Sequence, residues 1–413
     1  MDVIEQNSSS DIMSSSSSVF NIDLTGDIIN NYNVIVELGH GSYSIVWLVY
    51  CIEDNKYYAM KVQNPEDYEE GNDEINILKQ IPSNEIYINK LKNYFIETRF
   101  IDDIEYNFIC SIFPLCCGNL DGLARKGNYN KGYPIPIVKK MLKQICMGLN
   151  TIHTKLNGFH GDIKPDNILL CGINDRDKKY IELYDMAQFP LLYKNIKKKY
   201  MTEKKMTKLT IKDKLRIRKE LHMNIINSMP VIEESPYMFD KKYIDNLLIK
   251  ITDFGFYCHK NEKFNESFGT CYYQAPEIIL DGNCTEKIDI WALGCMLYEL
   301  LTGEILFDAD ADERGNSNFN HIEMMINLCG EFSSDFLNKT KNKKKYFNNK
   351  NKLENIIYDK NNKNKDPIDI LRNKLNDHDI NDNILCDLLI QMLILDPNKR
   401  ISINNILAHK WLK

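Results

Sequence analysis

The stretch that most constrains this chain is residues 158–170, GFHGDIKPDNILL. It gathers His160, Asp162, Lys164 and Asn167 into one short loop that closes on an apolar run. Landmarks of the same kind stand in fixed order around it. LGHGSYSIV, with Gly39, Gly41, Ser44 and Val46, and AMKV, with Lys61, come before it. ITDFG, with Asp253, and GTCYYQAPE, with Thr270 and Glu277, come after it. DIW, with Asp289, and LDPNKR, with Arg400, close the set.

The patterning between these landmarks gives the architecture. NVIVELGHGSYSIVWLVYC and KYYAMKVQ are β-branched and aromatic runs broken by turn residues, which predicts strands. YEEGNDEINILKQI has helical spacing, with Ile75, Leu78 and Ile81 on one face. YNFICSIFPL reads as a buried strand ending at Pro114. PIPIVKKMLKQICMGLNTIHTKL and DIWALGCMLYELLTG keep helical period. The expected fold class is α+β with two lobes. A small β-rich lobe covers residues 31–115 and a larger helical lobe residues 116–413, behind a disordered Ser-rich tail at 1–30.

Residues 172–247 do not fit a compact domain, because ordered domains rarely contain so long a connection without structure. Residues 194–220 hold twelve Lys/Arg against three Asp/Glu. The expectation is a basic, flexible, partly helical insertion within the second lobe. The net charge of −6 is mild, so neither nucleic acid nor an anionic membrane is an expected partner. Twelve cysteines without metal-binding spacing, and a polar N-terminus, suit a reducing cytoplasmic or nuclear compartment. No run is long and apolar enough to span a bilayer. A monomer is the default expectation.

The ordered landmarks resemble the eukaryotic protein kinase family over roughly residues 33–413, less the insertion. The resemblance implies an ATP-dependent kinase with Mg²⁺ as metal. A glycine hairpin lets backbone N–H groups approach ATP phosphates without a Cβ in the way. Here that loop is Gly39, His40, Gly41, Ser42, Tyr43 and Ser44, with Ser44 in place of a third glycine. Val46, Ala59, Leu115, Cys116 and Leu169 are the expected adenine contacts. Lys61 would hold the α- and β-phosphates, oriented by Glu74; Asp73 and Glu70 compete for that role. Asp162 would accept the substrate hydroxyl proton, and Lys164, a choice typical of Ser/Thr kinases, would neutralise the transferring phosphate. Asn167 and Asp253 are the expected Mg²⁺ ligands, with Phe254 packed beneath Asp253. Thr270 would tether Asp162 and Lys164, Glu277 would pair with Arg400, and Asp289 would brace the catalytic loop.

Within the family, VKKMLKQICMGLNTIHTK and FHGDIKPDNILL look like the SR-protein kinases, which phosphorylate Ser in Arg/Ser-rich proteins. Gly161 stands where most kinases carry an Arg that pairs with an activation-loop phosphate. A kinase without that Arg is expected to be active without the phosphate. The loop from Phe256 to Gln274 has few hydroxyls, Ser267 among them. FDADADER places Asp308, Asp310, Asp312 and Glu313 where that subfamily docks basic substrates. Gln274 and Cys271 replace arginines common in the wider group, which bears on recognition of the residue after the target Ser. Two alternatives stay open: a generalist kinase of the same wider group with Ser-Pro or acidic preference, and a silent scaffold that binds partners through the basic insertion. Nucleic-acid binding by residues 194–220 is a weaker reading, marked by steep salt dependence.

Overall fold

The computed structural model describes residues 22–41, 43–122, 129–233, 241–260, 262, 269–309, 317–354, 356–358 and 365–413. The chain divides into two compact units. The first holds residues up to 75, 91–115 and 175–234; the second holds 76–90, 116–174 and 235–413.

The first unit is built on an antiparallel sheet of β1 (Ile28–Ile29), β2 (Tyr32–His40), β3 (Ser44–Cys51), β4 (Lys56–Gln63), β5 (Asn93–Ile101) and β6 (Ile104–Phe113), in the order β1-β2-β3-β4-β6-β5. Helix α1 (Tyr68–Leu78) follows β4. Side chains on a strand alternate between faces, and β3 is apolar on both. Ile45, Trp47, Val49 and Cys51 enter one cluster with Met60, Val62, Phe108 and Ile112. Leu48 and Tyr50 point the other way. A strand apolar on both faces needs cover on both.

That second cover is the insertion, and it corrects the expectation of a flexible segment in the second lobe. Residues 175–228 form three long helices, α2 (Asp175–Met186), α3 (Phe189–Glu203) and α4 (Ile211–Ser228). Tyr180, Tyr184, Phe189, Leu221 and Ile225 pack with Ile35, Leu48 and Tyr50 in one core. Thr210 caps α4 in a reciprocal capping box with Asp213, a local start signal that composition alone hides. The dense lysines lie on solvated faces, whereas the sparse apolar residues carry the packing.

The second unit is mainly helical. β7 (Cys116–Asn119), β9 (Ile168–Cys171) and β10 (Ile249–Ile251) form a small sheet in the order β10-β9-β7; β8 (Gly158–Phe159) pairs with β11 (Cys258–His259). The helix at Lys287–Thr302 is buried nearly all round and forms the centre of the unit. Gly303, at φ +78°, closes it in the left-handed conformation that glycine adopts freely. The helix at Ile135–Thr154 also buries most of its apolar face. Ile75 and Leu78 are buried as expected; Ile81, also buried, lies just past the end of α1.

Candidate active site

The first unit carries one group of the candidate residues. Gly39 lies opposite Val46 at an irregularity in the β2–β3 register, and Gly41 N–H donates to the Ser44 carbonyl at 2.9 Å. A Cβ built on Gly39 would meet nothing within 4 Å, and one on Gly41 only the Ser44 carbonyl oxygen at 3.5 Å. Neither glycine is required by packing inside the protein, so both fit a cradle that a phosphate would fill. Tyr43 is exposed, His40 sits 3.7 Å from Glu37, and Ser42 lies outside the described residues. Lys61 stands directly opposite Val46, and Ala59 opposite Leu48, so all four share one face of the sheet. Lys61 Nζ meets Glu74 Oε2 at 2.8 Å, with both side chains largely shielded from water. Of the three carboxylates weighed from the sequence, Glu74 is the one paired with Lys61.

The second unit carries another group of candidate residues. Residues His160–Lys164 hang between β8 and β9. Their backbone is pinned by Asp289, whose Oδ2 accepts from His160 N–H and whose Oδ1 accepts from Gly161 N–H, both at 2.9 Å. His153 Nε2 reaches the same Oδ2 at 2.8 Å. Burial alone would raise the Asp289 carboxyl. The His153 hydrogen bond and charge, with His160 and the Gly161 N–H, outweigh it and hold Asp289 below the usual carboxylate range. Gly161 adopts φ +84°, a conformation that disfavours any side chain. His160 Nδ1 accepts from Asp162 N–H, which leaves Nε2 to donate to the Thr252 carbonyl at 3.0 Å. Phe254 packs edge-on against the His160 ring and is buried.

Asp162 is the hub. Its Oδ1 accepts from Thr270 N–H at 2.9 Å and Thr270 Oγ1 at 3.0 Å. Its Oδ2 accepts from Lys164 Nζ at 2.8 Å and Asn167 Nδ2 at 3.0 Å. Lys164 Nζ also donates to Thr270 Oγ1 at 2.7 Å. With about four acceptor positions on a carboxylate, Asp162 is saturated. Gly269, at φ +75°, comes so close that a Cβ there would lie 2.8 Å from the Gly161 carbonyl oxygen. Residues 269–270 therefore lie directly on the loop at 160–164. Tyr273 donates to Glu299 close by, and Gln274 Nε2 reaches the Gly269 carbonyl at 3.5 Å.

Asn167 gives its amide N–H₂ to Asp162, so its side-chain oxygen is the atom suited to a hard cation. Asp253 is held at φ +66°, outside the regions most L-residues adopt. Among the described residues no group of three or more His, Cys, Asp or Glu could hold a metal by itself. Two oxygen donors without a closed cage fit Mg²⁺, which is commonly held by one or two protein ligands together with substrate phosphates. Leu115, Cys116 and Leu169 are partly buried. Glu277 and Arg400 form a fully buried two-pronged pair at 2.7 and 2.9 Å. Asp308 is exposed, whereas Asp310, Asp312, Glu313 and Ser267 lie outside the described residues.

Sequence reasoning missed His153, which lies 136 residues from Asp289. It also missed Arg176, whose Nη2 donates to the Glu37 carbonyl at 2.9 Å, two residues before Gly39. Neither carries a local motif. Among the described residues, no helix is long and apolar enough to cross a membrane.

Comparison with known proteins agrees with this geometry. The family described as protein kinase domain matches residues 32–187 and 237–412, leaving out all of α3 and α4. The chain is 30% identical over 392 residues to serine/threonine-protein kinase SRPK of Physarum polycephalum, covering 93% of this chain and 86% of that protein. It is 25% identical over 455 residues to protein kinase dsk1 of Schizosaccharomyces pombe, covering 94% and 82%. It is 24% identical over 501 residues to SRSF protein kinase 3 of Mus musculus, covering 94% and 87%. The chain belongs to the protein kinase family and is a serine/threonine kinase, using ATP with Mg²⁺, of the SR-protein-kinase type.

Proposed function

We propose that this kinase phosphorylates serines in Arg-rich, Arg/Ser-repeat protein segments and is active without phosphorylation of its activation loop. The observation that carries the second half is the direct seating of Gly269 and Thr270 on Gly161 and Asp162. A loop end held by these contacts needs no phosphate–arginine pair to order it. Gly161 could make no such pair.

The residues take the following roles in this reading. The loop from Gly39 to Ser44, with Ser42 and Tyr43 in it, covers the ATP phosphates. Lys61, oriented by Glu74, holds the α- and β-phosphates. Val46, Ala59, Leu115, Cys116 and Leu169 receive the adenine. Asn167 and Asp253 would hold Mg²⁺, which would supply neutralisation of phosphate charge. Asp162 accepts the proton of the attacking hydroxyl. Its carboxylate is saturated as it stands, so one donor must yield. Lys164 is the natural one: it is the more exposed partner, and the transferring phosphate offers its ammonium a new anion. Thr270 stays and keeps the carboxylate aligned.

Support for the substrate class comes from the relatives, one of which is named an SRSF protein kinase, and from charge. Asp308 is exposed, and Asp310, Asp312 and Glu313 follow it in sequence. Together they would attract a basic peptide. The protein acts as a monomer in the cytoplasm, the nucleus or both, without binding nucleic acid directly.

The test is phosphate transfer from labelled ATP by phosphatase-treated protein, offered an Arg/Ser-repeat peptide beside a Ser-Pro peptide. Transfer to the Arg/Ser peptide is expected. Asp162→Asn should lower it by roughly 10²–10⁴-fold, the usual scale of a lost general base. Transfer to the Ser-Pro peptide alone would replace the substrate class and keep the kinase. Loss of activity on phosphatase treatment would overturn the claim of phosphate-independent activity. ATP binding without transfer to either peptide would favour a scaffold acting through the basic insertion.

A further inference from the structure

Strands β7 and β9 run antiparallel, and their register sets Cys116 directly opposite Cys171. Of the twelve cysteines in the chain, these are the only two that face each other across a strand ladder among the described residues. Directly opposed residues in antiparallel strands have Cα atoms about 4.5–5.5 Å apart. Disulfides usually span about 4.4–6.8 Å between Cα atoms, so the backbone need not move to join this pair. Both residues are partly exposed, whereas seven of the other cysteines are buried. The neighbouring Cys117 occupies the extra position of a bulge and is engaged elsewhere. Its sulfur lies 3.4 Å from the Leu170 carbonyl oxygen and 3.2 Å from the Tyr243 hydroxyl.

The two thiols are also chemically unlike. A hydrogen bond from the Cys116 thiol lowers the Cys171 pKa; burial opposes it, and the Lys250 ammonium adds to it. Lys250 stands opposite Leu169 on the adjacent strand, one step along the same face from Cys171. Cys116 is correspondingly raised, first by its role as donor to Cys171 and then by burial. One thiol is thus set up as the attacking thiolate, with the second beside it to resolve the product.

We propose that Cys116 and Cys171 form a reversible redox site, closed to a disulfide by hydroperoxides and reopened by thiols. The Cys171 thiolate attacks the peroxide oxygen, breaking the O–O bond to give a sulfenic acid, and hydroxide leaves as water. The Cys116 sulfur then attacks the Cys171 sulfur and displaces hydroxide, which takes the Cys116 proton and leaves as a second water. Two thiols and one hydrogen peroxide become one disulfide and two waters. A thiol reductant returns both residues by exchange. On the proposed placement of the adenine, on which this consequence rests, Cys116 and Leu169 line the nucleotide site. Leu169 shares the face of Cys171, so the new bond would stiffen and reshape the floor of that site.

The experiment uses the full chain, reduced and then exposed to roughly stoichiometric hydrogen peroxide. It is alkylated and digested without reductant, and the peptides are read by mass spectrometry. The expected result is a dominant linked pair of peptides carrying Cys116 and Cys171, lost on treatment with dithiothreitol. ATP should bind the oxidised protein several-fold more weakly and recover fully on reduction. Cys116→Ser, which keeps a hydrogen-bond donor beside Cys171 but cannot resolve the product, should trap Cys171 as a sulfenic acid that dimedone labels. The site is overturned if both thiols stay open to alkylation while other cysteines oxidise, or if dimedone finds no Cys171 adduct in the variant. The link is read without nucleotide, so it is independent of the kinase reading. Reduced protein that fails to bind ATP would refute the adenine placement instead.

Discussion

Arg400 and Arg218 are both almost completely buried, one in each unit, and they are held in opposite ways. Arg400 meets a carboxylate fork to fork: Glu277 takes both of its terminal nitrogens, and the Lys287 and Ile394 carbonyls take further donors. Its guanidinium also lies over the Trp291 ring. Arg218 has no carboxylate partner among the described residues. Its Nε donates to Asn33 Oδ1 at 2.7 Å, its Nη1 donates to the Asn30 carbonyl at 3.0 Å, and its Nη2 has no partner there. From Asn33 the bonding continues in one direction. Asn33 donates to Tyr184 at 2.7 Å, Tyr184 to His222 Nδ1 at 3.1 Å, and His222 Nε2 to the Val34 carbonyl at 2.8 Å. The second unit therefore balances a buried charge with a charge. At Arg218, unlike at its Lys61–Glu74 pair, the first unit holds a buried charge with neutral dipoles, and burial lowers the pKa of Arg218. In its buried part the insertion is tied to the sheet by a chain of neutral donors and acceptors around Arg218, whereas its Lys219–Asp27 ion pair, at 3.5 Å, lies nearer the surface.

The largest effect expected from this contrast follows from removing one member of the balanced pair. Glu277→Gln leaves the Arg400 charge buried without its counter-charge, and breaking a buried pair this way costs about 3–5 kcal/mol. Denaturant unfolding followed by a probe in the second unit measures it. A loss under about 1 kcal/mol would place Arg400 with Arg218, as a charge that neutral groups suffice to hold.

Arg218→Met should cost less. The change removes a charge that has no partner to strand, and it keeps most of the apolar stem. What remains unpaired is Asn33 Oδ1 and the Asn30 carbonyl, worth about 1–3 kcal/mol. The loss should be local, read as faster amide exchange in α4 with the helix at Lys287–Thr302 unchanged. A cost equal to that of Glu277→Gln would mean that Arg218 has a counter-charge after all.

The same contrast explains which parts of the molecule could be read from the sequence. Glu277, Arg400, Asp162, Lys164 and Thr270 each sit in a short motif, so each could be singled out from the sequence, and the expected contacts of Glu277 with Arg400 and of Thr270 with Asp162 and Lys164 are present. The meeting of Lys61 with Glu74 needed only one strand and the next helix. Asn33, Tyr184, Arg218 and His222 belong to no motif; one of their bonds spans 38 residues and the others 151 to 188. Lysine density made the insertion look like a solvated, flexible segment. The decisive signal lay elsewhere, in β3. Leu48 and Tyr50 form a second apolar face that some other segment has to cover. Aromatic residues at Tyr180, Tyr184 and Phe189 were the available cover. His153 escaped notice for the same reason as His222: a lone histidine on an apolar helix face has no visible partner until the fold supplies one.

The smallest expected effect tests the chain at its most sensitive link. His222 is fully buried, and burial first, with Arg218 adding to it, pushes its pKa down from 6.5 to about 4, while the Val34 carbonyl opposes the shift. Between those two values the unfolded chain takes up a proton that the folded chain refuses. Stability from this site is therefore complete above pH 6.5 and is lost as the pH falls toward 4. Going from pH 7 to pH 5.5 should loosen α4 by about 1 kcal/mol, read as amide exchange corrected for its intrinsic pH dependence. His321, in the second unit, is also pushed down to about 4 by burial, so a whole-molecule melt would mix the two. The exchange of α4 alone separates them. His222→Gln should flatten the dependence, and a slope that persists would show that another group titrates there. Arg218→Met gives the sharper form of the test. With the neighbouring positive charge gone, His222 should accept a proton at higher pH, and the acid loosening of α4 should shrink. If it does not, the two residues are not electrostatically coupled, and the neutral chain from Arg218 to Val34 works as separate hydrogen bonds.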